Sequence, residues 1–484
     1  MFDVMHLQNY IKHNKQTTNK QQTTNTIISL YFMVAEIKTH TYKNGFTFVH
    51  EKPTITSPVT SIHAFVNLGS AFENDTIRGG SHFIEHMCFK GTKKIPKSKD
   101  LFIKFDSIGA YFNAYTNKRT TCYKVKTQDD YICNCLMILS DMILNSVFSK
   151  KEFFKEEKVV IEENMKNNDD PLYIIEDIIQ DLIYKGSSYS YTVDHLKYHK
   201  KSFDYKEIIK MYHTFYQPNN VVLSVVSNYS FEQIKRMISK TYFMKKNNVC
   251  NECHNLLPCT PHNSFLLNYN ITPQNTILYD FTPKKKMTTT HVNISFRTCN
   301  HISKDMYVLN MLKFILSGSI SSRLFTLLRE DNGLTYTSNV VTEYFEHMGC
   351  FIITTEIDQT KLMKNGKKPG LFPLIFHLLN ELLEKGVNEN ELKITKNNLK
   401  GKEILKLSDI DNQAEYNGYQ YLMHHEICTR YSKMYEKHYE NVDVNNINNV
   451  IKMYIKKQNM SVCCYGGKLN DENAIKRVCE TLKQ

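Results

Sequence analysis

Apolar and polar residues alternate along two early stretches of the chain. One runs from Phe46 to Glu51 and the other from Ser61 to Leu68, with the two-residue period of a half-buried β-strand. Further on, apolar residues recur every three or four positions, which is the period of a helix that packs by one face. The pattern predicts, in order, a helix at 99–108, a strand at 112–126, helices at 129–147, 151–167, 172–184 and 204–216, a strand at 220–228 and a helix at 231–242.

A second round of strands and helices follows a polar connection that contains Pro258, Pro261, Pro273 and Pro283. Its first strand begins at His291. The hydrophobic pattern then predicts a helix at 304–318, strands at 334–345 and 349–357, helices at 371–385 and 389–405, a strand at 459–465 and a helix at 470–482. Both halves have an α+β order of elements, although their sequences differ too much to establish a repeat.

The length of 484 residues exceeds what one hydrophobic core usually supports, so two or more domains are expected. With 41% hydrophobic and 23% charged residues, the composition is that of a globular protein. The formal net charge of +12 would suit an anionic partner, but the lysines are dispersed and form no basic helix. We therefore predict a solvated lysine-rich surface and no nucleic-acid partner.

Thirteen cysteines are scattered without a repeating spacing, in a chain large enough to need no disulfides. This favours an intracellular, reducing compartment and does not separate the cytoplasm from the mitochondrial matrix. Cys250, Cys253 and His254 match the spacing of covalent haem attachment, and with Cys259 they could hold a metal. Because this stretch is polar and lacks cytochrome-like surroundings, we predict free thiols there.

The first 32 residues are rich in Asn, Gln, Thr and Lys, a composition that cannot bury enough apolar surface to fold. We predict that residues 1–37 form a disordered polar extension. An arginine-rich mitochondrial presequence is a weak alternative, because Arg78 is the first arginine. The apolar run from Ile27 to Ala35 is too short to cross a membrane, so no membrane span is predicted.

One short segment combines two histidines and a glutamate at helical spacing. His82 and His86 lie one helical turn apart, so their imidazoles point from one face with Glu85 beside them. Imidazole is a favoured zinc ligand, and two histidines on adjacent turns can fill two positions of a tetrahedral site. The order H-x-x-E-H is the inverse of the common zinc-protease motif. The alternative is an ordinary charged helix that contains two histidines.

A catalytic zinc site needs a third protein ligand, which should come from a distant element. The helix predicted at 151–167 offers candidate carboxylates, and 76 residues separate His86 from Glu163. At this point the chain resembles the pitrilysin and mitochondrial-processing-peptidase family of zinc peptidases. That family carries H-x-x-E-H, then 76 residues, then a glutamate ligand.

The resemblance covers roughly residues 38 to 480. Further similar segments are Gly69-Ser70-Ala71-Phe72-Glu73, Lys90-Gly91-Thr92-Lys93, Gly109-Ala110-Tyr111-Phe112-Asn113-Ala114-Tyr115-Thr116, Ser321-Ser322-Arg323-Leu324-Phe325, Leu328-Arg329-Glu330 and Gly333-Leu334-Thr335-Tyr336. The family has two homologous α/β-sandwich domains, each with a mixed, mainly antiparallel sheet, that face each other as a clam-like chamber. The resemblance implies a catalytic zinc-binding domain at 38–245, a linker at 246–288 and a C-terminal domain without a metal site at 289–484.

The same resemblance implies roles for individual residues. His82, His86 and Glu163 would bind one Zn²⁺ per chain, and Glu85 would act as the general base that takes a proton from water. Glu156 lies two helical turns before Glu163, on the same face, and would hydrogen-bond a ligand histidine. The alternative for Glu156 is a solvated carboxylate.

Relatives bind substrate as an added strand beside the zinc, which here implies Asn113, Ala114, Tyr115 and Thr116. Where relatives often carry glutamate shortly after this strand, the chain has Arg119. From the second domain, Arg329 and Tyr336 correspond to residues that reach the substrate in relatives. Arg329 would hold a peptide carbonyl, and the Tyr336 hydroxyl would stabilise the developing oxyanion. The alternative is a surface ion pair and a packed tyrosine.

These residues predict a zinc metalloendopeptidase that hydrolyses extended, unfolded peptides or presequences. The alternative is a non-catalytic core or scaffold subunit of a processing-peptidase-like complex, which the presence of all four motif residues disfavours. The expected partners are a peptide substrate and either a second copy of the chain or a related non-catalytic subunit.

Overall fold

A computed structural model describes residues 37–53, 55–193, 202–245, 269–284, 286–427, 429–467, 469 and 472–483. The predicted extension at 1–37, apart from Ile37, and the segment from Cys250 to Cys259 lie outside the described residues. Among the described residues, no helix combines the length and apolar character needed to cross a membrane. The nine described cysteines form no disulfide.

The first half builds a six-stranded mixed sheet. Its strands lie in the order β1-β2-β6-β3-β5-β4, with β2 and β6 parallel and the other neighbours antiparallel. The strands are β1 (Lys38–Thr41), β2 (Thr47–Glu51), β3 (Val59–Val66), β4 (Tyr111–Thr116), β5 (Thr121–Gln128) and β6 (Val221–Val226). Helices of eight or more residues are α1 (Gly80–Cys88), α2 (Ser98–Asp106), α3 (Ile132–Asn145), α4 (Lys150–Asn168), α5 (Pro171–Ile183), α6 (Tyr205–Phe215) and α7 (Phe231–Ile238).

The second half builds a five-stranded sheet in the order β7-β13-β8-β10-β9. Its strands are β7 (Leu278–Pro283), β8 (Thr289–Thr298), β9 (Ser338–Tyr344), β10 (Gly349–Asp358) and β13 (Met460–Gly466), with the two-residue strands β11 (Lys364–Asn365) and β12 (Lys368–Pro369) as a separate pair. Its long helices are α8 (Asp305–Ser317), α9 (Leu371–Lys385), α10 (Glu389–Lys406), α11 (Ile410–His424), α12 (Val444–Tyr454) and α13 (Glu472–Cys479).

Apart from the extra edge strand β1, the two sheets have the same topology. The parallel pair β2–β6 of the first sheet corresponds to β7–β13 of the second, and the next strand in the chain, β3 or β8, lies on the other side of β6 or β13. The internal repeat that the sequence does not establish is therefore present in the fold. The predicted linker 246–288 includes β7, which pairs with β13, so the second sheet begins at Leu278. β7 is an edge strand, the position in which a sheet tolerates Pro283.

The halves exchange one helix each. α5 belongs to the first half but packs on β8 and β13, and α11 belongs to the second half but packs on β3 and β6. The contact between α11 and the sheet is an apolar patch that includes Val49, Phe65 and Val222 of the sheet and Leu422 of α11. At Gly418 a Cβ atom would lie 2.2 Å from the Phe65 ring, so only glycine lets α11 come this close to the sheet.

Most predicted elements agree with the structure to within a few residues, but the edge strands β1 and β7 were not predicted, and two further segments differ. The strand predicted at 112–126 is a hairpin of β4 and β5, because Asn117 Oδ1 accepts hydrogen bonds from the N–H groups of Arg119 and Thr120 and closes a turn there. The chain between residues 406 and 458, for which no element is predicted, contains α11 and α12.

Candidate active site

The helix with the H-x-x-E-H motif, α1, is held at its start by Glu73. The buried carboxylate of Glu73 accepts hydrogen bonds from the N–H groups of Gly79 (2.7 Å) and Ser81 (2.8 Å). These groups have no partner within the helix, and a carboxylate there also interacts favourably with the helix dipole. Phe83, Ile84 and Met87 are buried in the core, so the opposite face carries the two histidines to a cavity.

The three predicted metal ligands come together. His82 Nε2 lies 3.1 Å from His86 Nε2, and His86 Nε2 lies 3.5 Å from Glu163 Oε2 on α4. All three donor atoms lie within 4.8 Å of one another. Ligands of a tetrahedral zinc ion, each about 2.0–2.1 Å from the metal, stand about 3.3 Å apart. Both the donor types and their spacing therefore fit Zn²⁺.

Glu156 lies behind His86 and is hydrogen-bonded to it. His86 Nδ1 donates to Glu156 Oε1 at 2.9 Å, and Lys90 Nζ lies 2.5 Å from Glu156 Oε2. Although burial acts to raise the pKa of Glu156, the hydrogen bonds from His86 and Lys90 hold it below its ordinary value. A carboxylate at Nδ1 keeps the proton on that nitrogen and leaves Nε2 free to bind a metal.

Glu85 lies buried beside the donor atoms. Its Oε2 accepts a hydrogen bond of 2.6 Å from the Thr116 hydroxyl on β4. Burial raises the pKa of Glu85 above its ordinary value, while His82 and the Thr116 hydroxyl act to lower it. A carboxyl with a raised pKa can both accept and release a proton closer to neutral pH than an exposed glutamate does.

The edge strand β4 faces the cavity with main-chain groups that do not pair with β5. Asn117 N–H donates to Thr120 C=O at 2.9 Å, and such hydrogen-bonded pairs recur at every second residue of an antiparallel hairpin. The alternation turns the N–H and C=O groups of Phe112, Ala114 and Thr116 away from β5. This edge of the sheet is therefore available to an added strand.

The side chain of Asn113 occupies part of this edge. Its Oδ1 accepts a hydrogen bond of 2.8 Å from the N–H of Ala114. That N–H is one that a peptide paired with β4 would use, so the Asn113 amide would have to turn away when a peptide binds.

A cavity of about 1010 Å³ lies between the two halves and contains the predicted metal ligands, Glu85 and the end of β4. The wall from the first half also carries Asn167, Glu176 and Asp177. The wall from the second half is aromatic and methionine-rich, and includes Met306, Tyr307, Tyr344, Phe345, Tyr416, Tyr419, Met423 and Met434. The cavity thus has a polar, acidic wall opposite an aromatic, methionine-rich wall that also carries Glu343, His301 and His424.

Arg329 and Tyr336 do not line this cavity. The Arg329 guanidinium lies over the rings of Phe325 and Tyr336 and donates to the Tyr336 carbonyl, and the Tyr336 side chain is 78% exposed. Arg329 lies on a π-helical turn, Thr326–Glu330, a feature often found at functional sites. The predicted role of these two residues requires movement of this segment and stays a prediction.

The sequence did not single out the second-half residues that do line the cavity. Tyr416, Tyr419, Gln420 and His424 recur at the three- and four-residue spacing of one helix face. This face of α11 borders a cavity, whereas the opposite face packs on the first sheet. Because the cavity-facing residues are polar and aromatic, the sequence of α11 lacks the apolar stripe by which a helix is usually recognised.

Two domain models of one protein family match successive parts of the chain. The profile of insulinase (peptidase family M16) matches residues 49–193, and that of the peptidase M16 inactive domain matches residues 202–399. A Bacillus subtilis protein named an uncharacterized zinc protease is 30% identical over 385 residues, which cover 79% of this chain and 87% of that protein. The mitochondrial-processing peptidase β subunit of Caenorhabditis elegans is 30% identical over 210 residues, 43% of this chain and 45% of that subunit.

Solved structures share the fold. A protease from Helicobacter pylori superposes with a TM-score of 0.79 at 20% identity, covering 89% of this chain and 100% of that one. A peptidase M16 inactive domain from Pseudomonas fluorescens gives a TM-score of 0.75 at 15% identity, covering 90% and 98%. By its matched domains, its relatives and its two-domain fold, the chain belongs to the M16 (insulinase) family of peptidases.

Proposed function

We propose that the protein is a zinc metalloendopeptidase that hydrolyses extended, unfolded peptides. The observation that carries the proposal is the convergence of His82 Nε2, His86 Nε2 and the Glu163 carboxylate beside Glu85 and the free edge of β4. Relatives named zinc proteases support the same chemistry.

In this mechanism His82, His86 and Glu163 hold one Zn²⁺ per chain, with Glu156 orienting His86. When bound, zinc polarises the peptide carbonyl and lowers the pKa of water. Glu85 takes the proton of the attacking water and passes it to the leaving amine, so no covalent intermediate with the protein forms. The hydrogen bond from Thr116 keeps the Glu85 carboxylate in place for both transfers.

The substrate class follows from β4 and the cavity. Main-chain hydrogen bonds to Phe112, Ala114 and Thr116 would hold any peptide that can extend, and side-chain pockets would select among sequences. Because both halves wall the cavity, a folded domain would not bring its backbone to the edge of β4. Unfolded segments such as presequences fit this site.

The experiment that tests the proposal is hydrolysis of a mixed peptide library, followed by mass spectrometry, with and without a chelator. Wild-type protein should cleave and the chelated protein should not. Glu85→Gln should keep about one zinc per chain and lose hydrolysis by at least roughly 10²- to 10⁴-fold. His82→Ala, His86→Ala and Glu163→Ala should lose zinc as well.

Near-normal turnover by Glu85→Gln would reject the role of Glu85. No cleavage by the zinc-loaded wild type would favour the alternative, a non-catalytic subunit. The predicted homodimer or heterodimer and the reducing compartment stay predictions, and native mass spectrometry of the purified chain tests the first.

A further inference from the structure

A glutamate of the second half hydrogen-bonds a residue of the predicted substrate strand. The hydroxyl of Tyr115, on β4, donates a short hydrogen bond to Oε1 of Glu415, on α11. The other oxygen, Oε2, lies 3.0 Å from His63 Nδ1 on β3 and 3.4 Å from Lys124 Nζ on β5. Glu415 therefore connects three strands of the first sheet to a helix of the second half.

This cluster also contains metal-binding side chains, since donor atoms of His63, Cys122 and Glu415 lie within 4.8 Å of one another. Two observations favour a hydrogen-bonded network over a second metal site. The Lys124 ammonium and the Tyr115 hydroxyl already occupy the Glu415 carboxylate. Burial raises the pKa of the Cys122 thiol well above its ordinary value, which keeps the sulfur protonated.

The end of β4 is thereby held from both faces. Successive side chains of a strand point to opposite faces, so Thr116 reaches Glu85 on one side and Tyr115 reaches Glu415 on the other. The free main-chain edge lies between these two hydrogen bonds. Its position relative to the predicted metal ligands depends on both.

We propose that Glu415 is a positioning residue that acts through Tyr115 to hold the edge of β4 ready for an extended peptide. The inference rests on the proposed function, and it explains how a half without metal ligands contributes to substrate binding. Without the hydrogen bond between Tyr115 and Glu415, β4 is less ordered in the free protein and has to become ordered when the peptide binds. The entropy lost in this ordering weakens peptide binding but leaves the groups that carry the chemistry unchanged.

The test compares Glu415→Ala, Tyr115→Phe and the double variant. Each should raise KM for an extended peptide by about 10-fold, with kcat within about twofold and full zinc content. The KM of the double variant should be no higher than that of either single variant, because each substitution removes the same hydrogen bond between Tyr115 and Glu415. Effects that multiply in the double variant, or a loss of zinc in either single variant, would overturn the proposal.

Lys126→Gln is the matched control. Lys126 on β5 pairs with Asp409 (2.8 Å) and Asp411 (3.2 Å) of the same helix without touching Tyr115. The Lys126→Gln substitution should loosen the contact between α11 and the sheet and leave KM unchanged. A KM raised as much as in Glu415→Ala would show that docking of α11 matters in general, and would reject a specific role for Glu415.

A second measurement needs no activity and so separates this inference from the proposed function. Hydrogen–deuterium exchange at residues 111–116 should be faster in Glu415→Ala and Tyr115→Phe than in wild type, and unchanged in Lys126→Gln. Even if the protein cleaves no peptide, faster exchange in these two variants would still support the role of the Tyr115–Glu415 hydrogen bond in ordering β4. Unchanged exchange in both variants would overturn it even in an active enzyme.

Discussion

Arg119 and Glu346 form an ion pair across the two halves, with Nε and Oε1 2.6 Å apart. Both side chains are largely buried, the Tyr189 hydroxyl also donates to Glu346, and the Arg119 guanidinium lies over the ring of Phe72. Arg119 stands where the family resemblance of the sequence leads to the expectation of glutamate. Its positive charge is neutralised in the interface and lies outside the residues that line the cavity, so it leaves the acidic wall intact.

Charge reversal tests this pair. Arg119→Glu should lower the free energy of unfolding by roughly 3–5 kcal/mol, because it leaves Glu346 buried beside a second negative charge. The swapped variant Arg119→Glu/Glu346→Arg should recover part of that loss. Urea unfolding measures both, and Arg236→Glu, at an exposed position, controls for the change in net charge. A swap no more stable than Arg119→Glu alone would contradict the pairing.

Glu156 should tune the metal site without being a ligand. Glu156→Gln keeps the size of the side chain but removes the charge that orients His86, so zinc affinity should fall by about 10- to 100-fold. Competition with a chromogenic chelator measures the affinity. Glu162→Gln, exposed on the same helix, should bind zinc like wild type. Equal affinities for all three proteins would leave Glu156 as a packing residue.

The role predicted for Tyr336 has a direct test. If the segment that carries it closes over the substrate, Tyr336→Phe should lower kcat by roughly 10- to 10³-fold with little change in KM, because the lost hydroxyl acts in the transition state. Steady-state kinetics on zinc-loaded protein measures both constants. Unchanged values would leave Tyr336 at the surface, where its side chain lies in this structure.

Acid should weaken the contact between α11 and the first sheet. Although burial acts to raise the pKa of Asp411, the His63 imidazole 3.8 Å away, the hydrogen bond from Ser61 and the charge of Lys126 hold it well below its ordinary value of 3.8. A carboxyl with a depressed pKa in the folded state stabilises the fold above its unfolded pKa, and this contribution is lost as the pH falls through about 4 and below.

The comparison to make is the loss of unfolding free energy between pH 6 and pH 3. Asp411→Asn cannot take up a proton at this position as the pH falls, so its loss of unfolding free energy should be smaller than that of wild type. Asp130→Asn, an exposed substitution, should behave like wild type. Equal losses in all three proteins would show that Asp411 contributes no acid sensitivity.

Thiol titration in denaturant, without reductant, should find thirteen free thiols per chain. The nine described cysteines are unpaired, and most are buried and therefore slow to react in the folded protein. Several missing thiols would mean disulfides and an oxidising compartment.

Local sequence patterns predicted most helices and strands of this fold, whereas they could not predict contacts between segments that lie far apart in the chain. Helical geometry alone puts His82 beside His86, and the strand and helix periods locate most elements. Glu415 and Tyr416 carry no such signal. Their surroundings come from β4 and from the cavity, which lie far away in the chain, so no local apolar period marks them. The turn at Asn117 was missed because its side chain, and not a glycine or proline, closes it.

The helix exchange also sets an order of events during synthesis. The strands of the first sheet are complete once Val226 has been made, but the helix that covers Val49, Phe65 and Val222 ends at His424. At about 5–20 residues per second, the ribosome needs roughly 10–40 s to reach that point. Throughout this interval the nascent first half exposes an apolar sheet face, and chaperones that bind such surfaces would have to protect it until its own C-terminal half arrives.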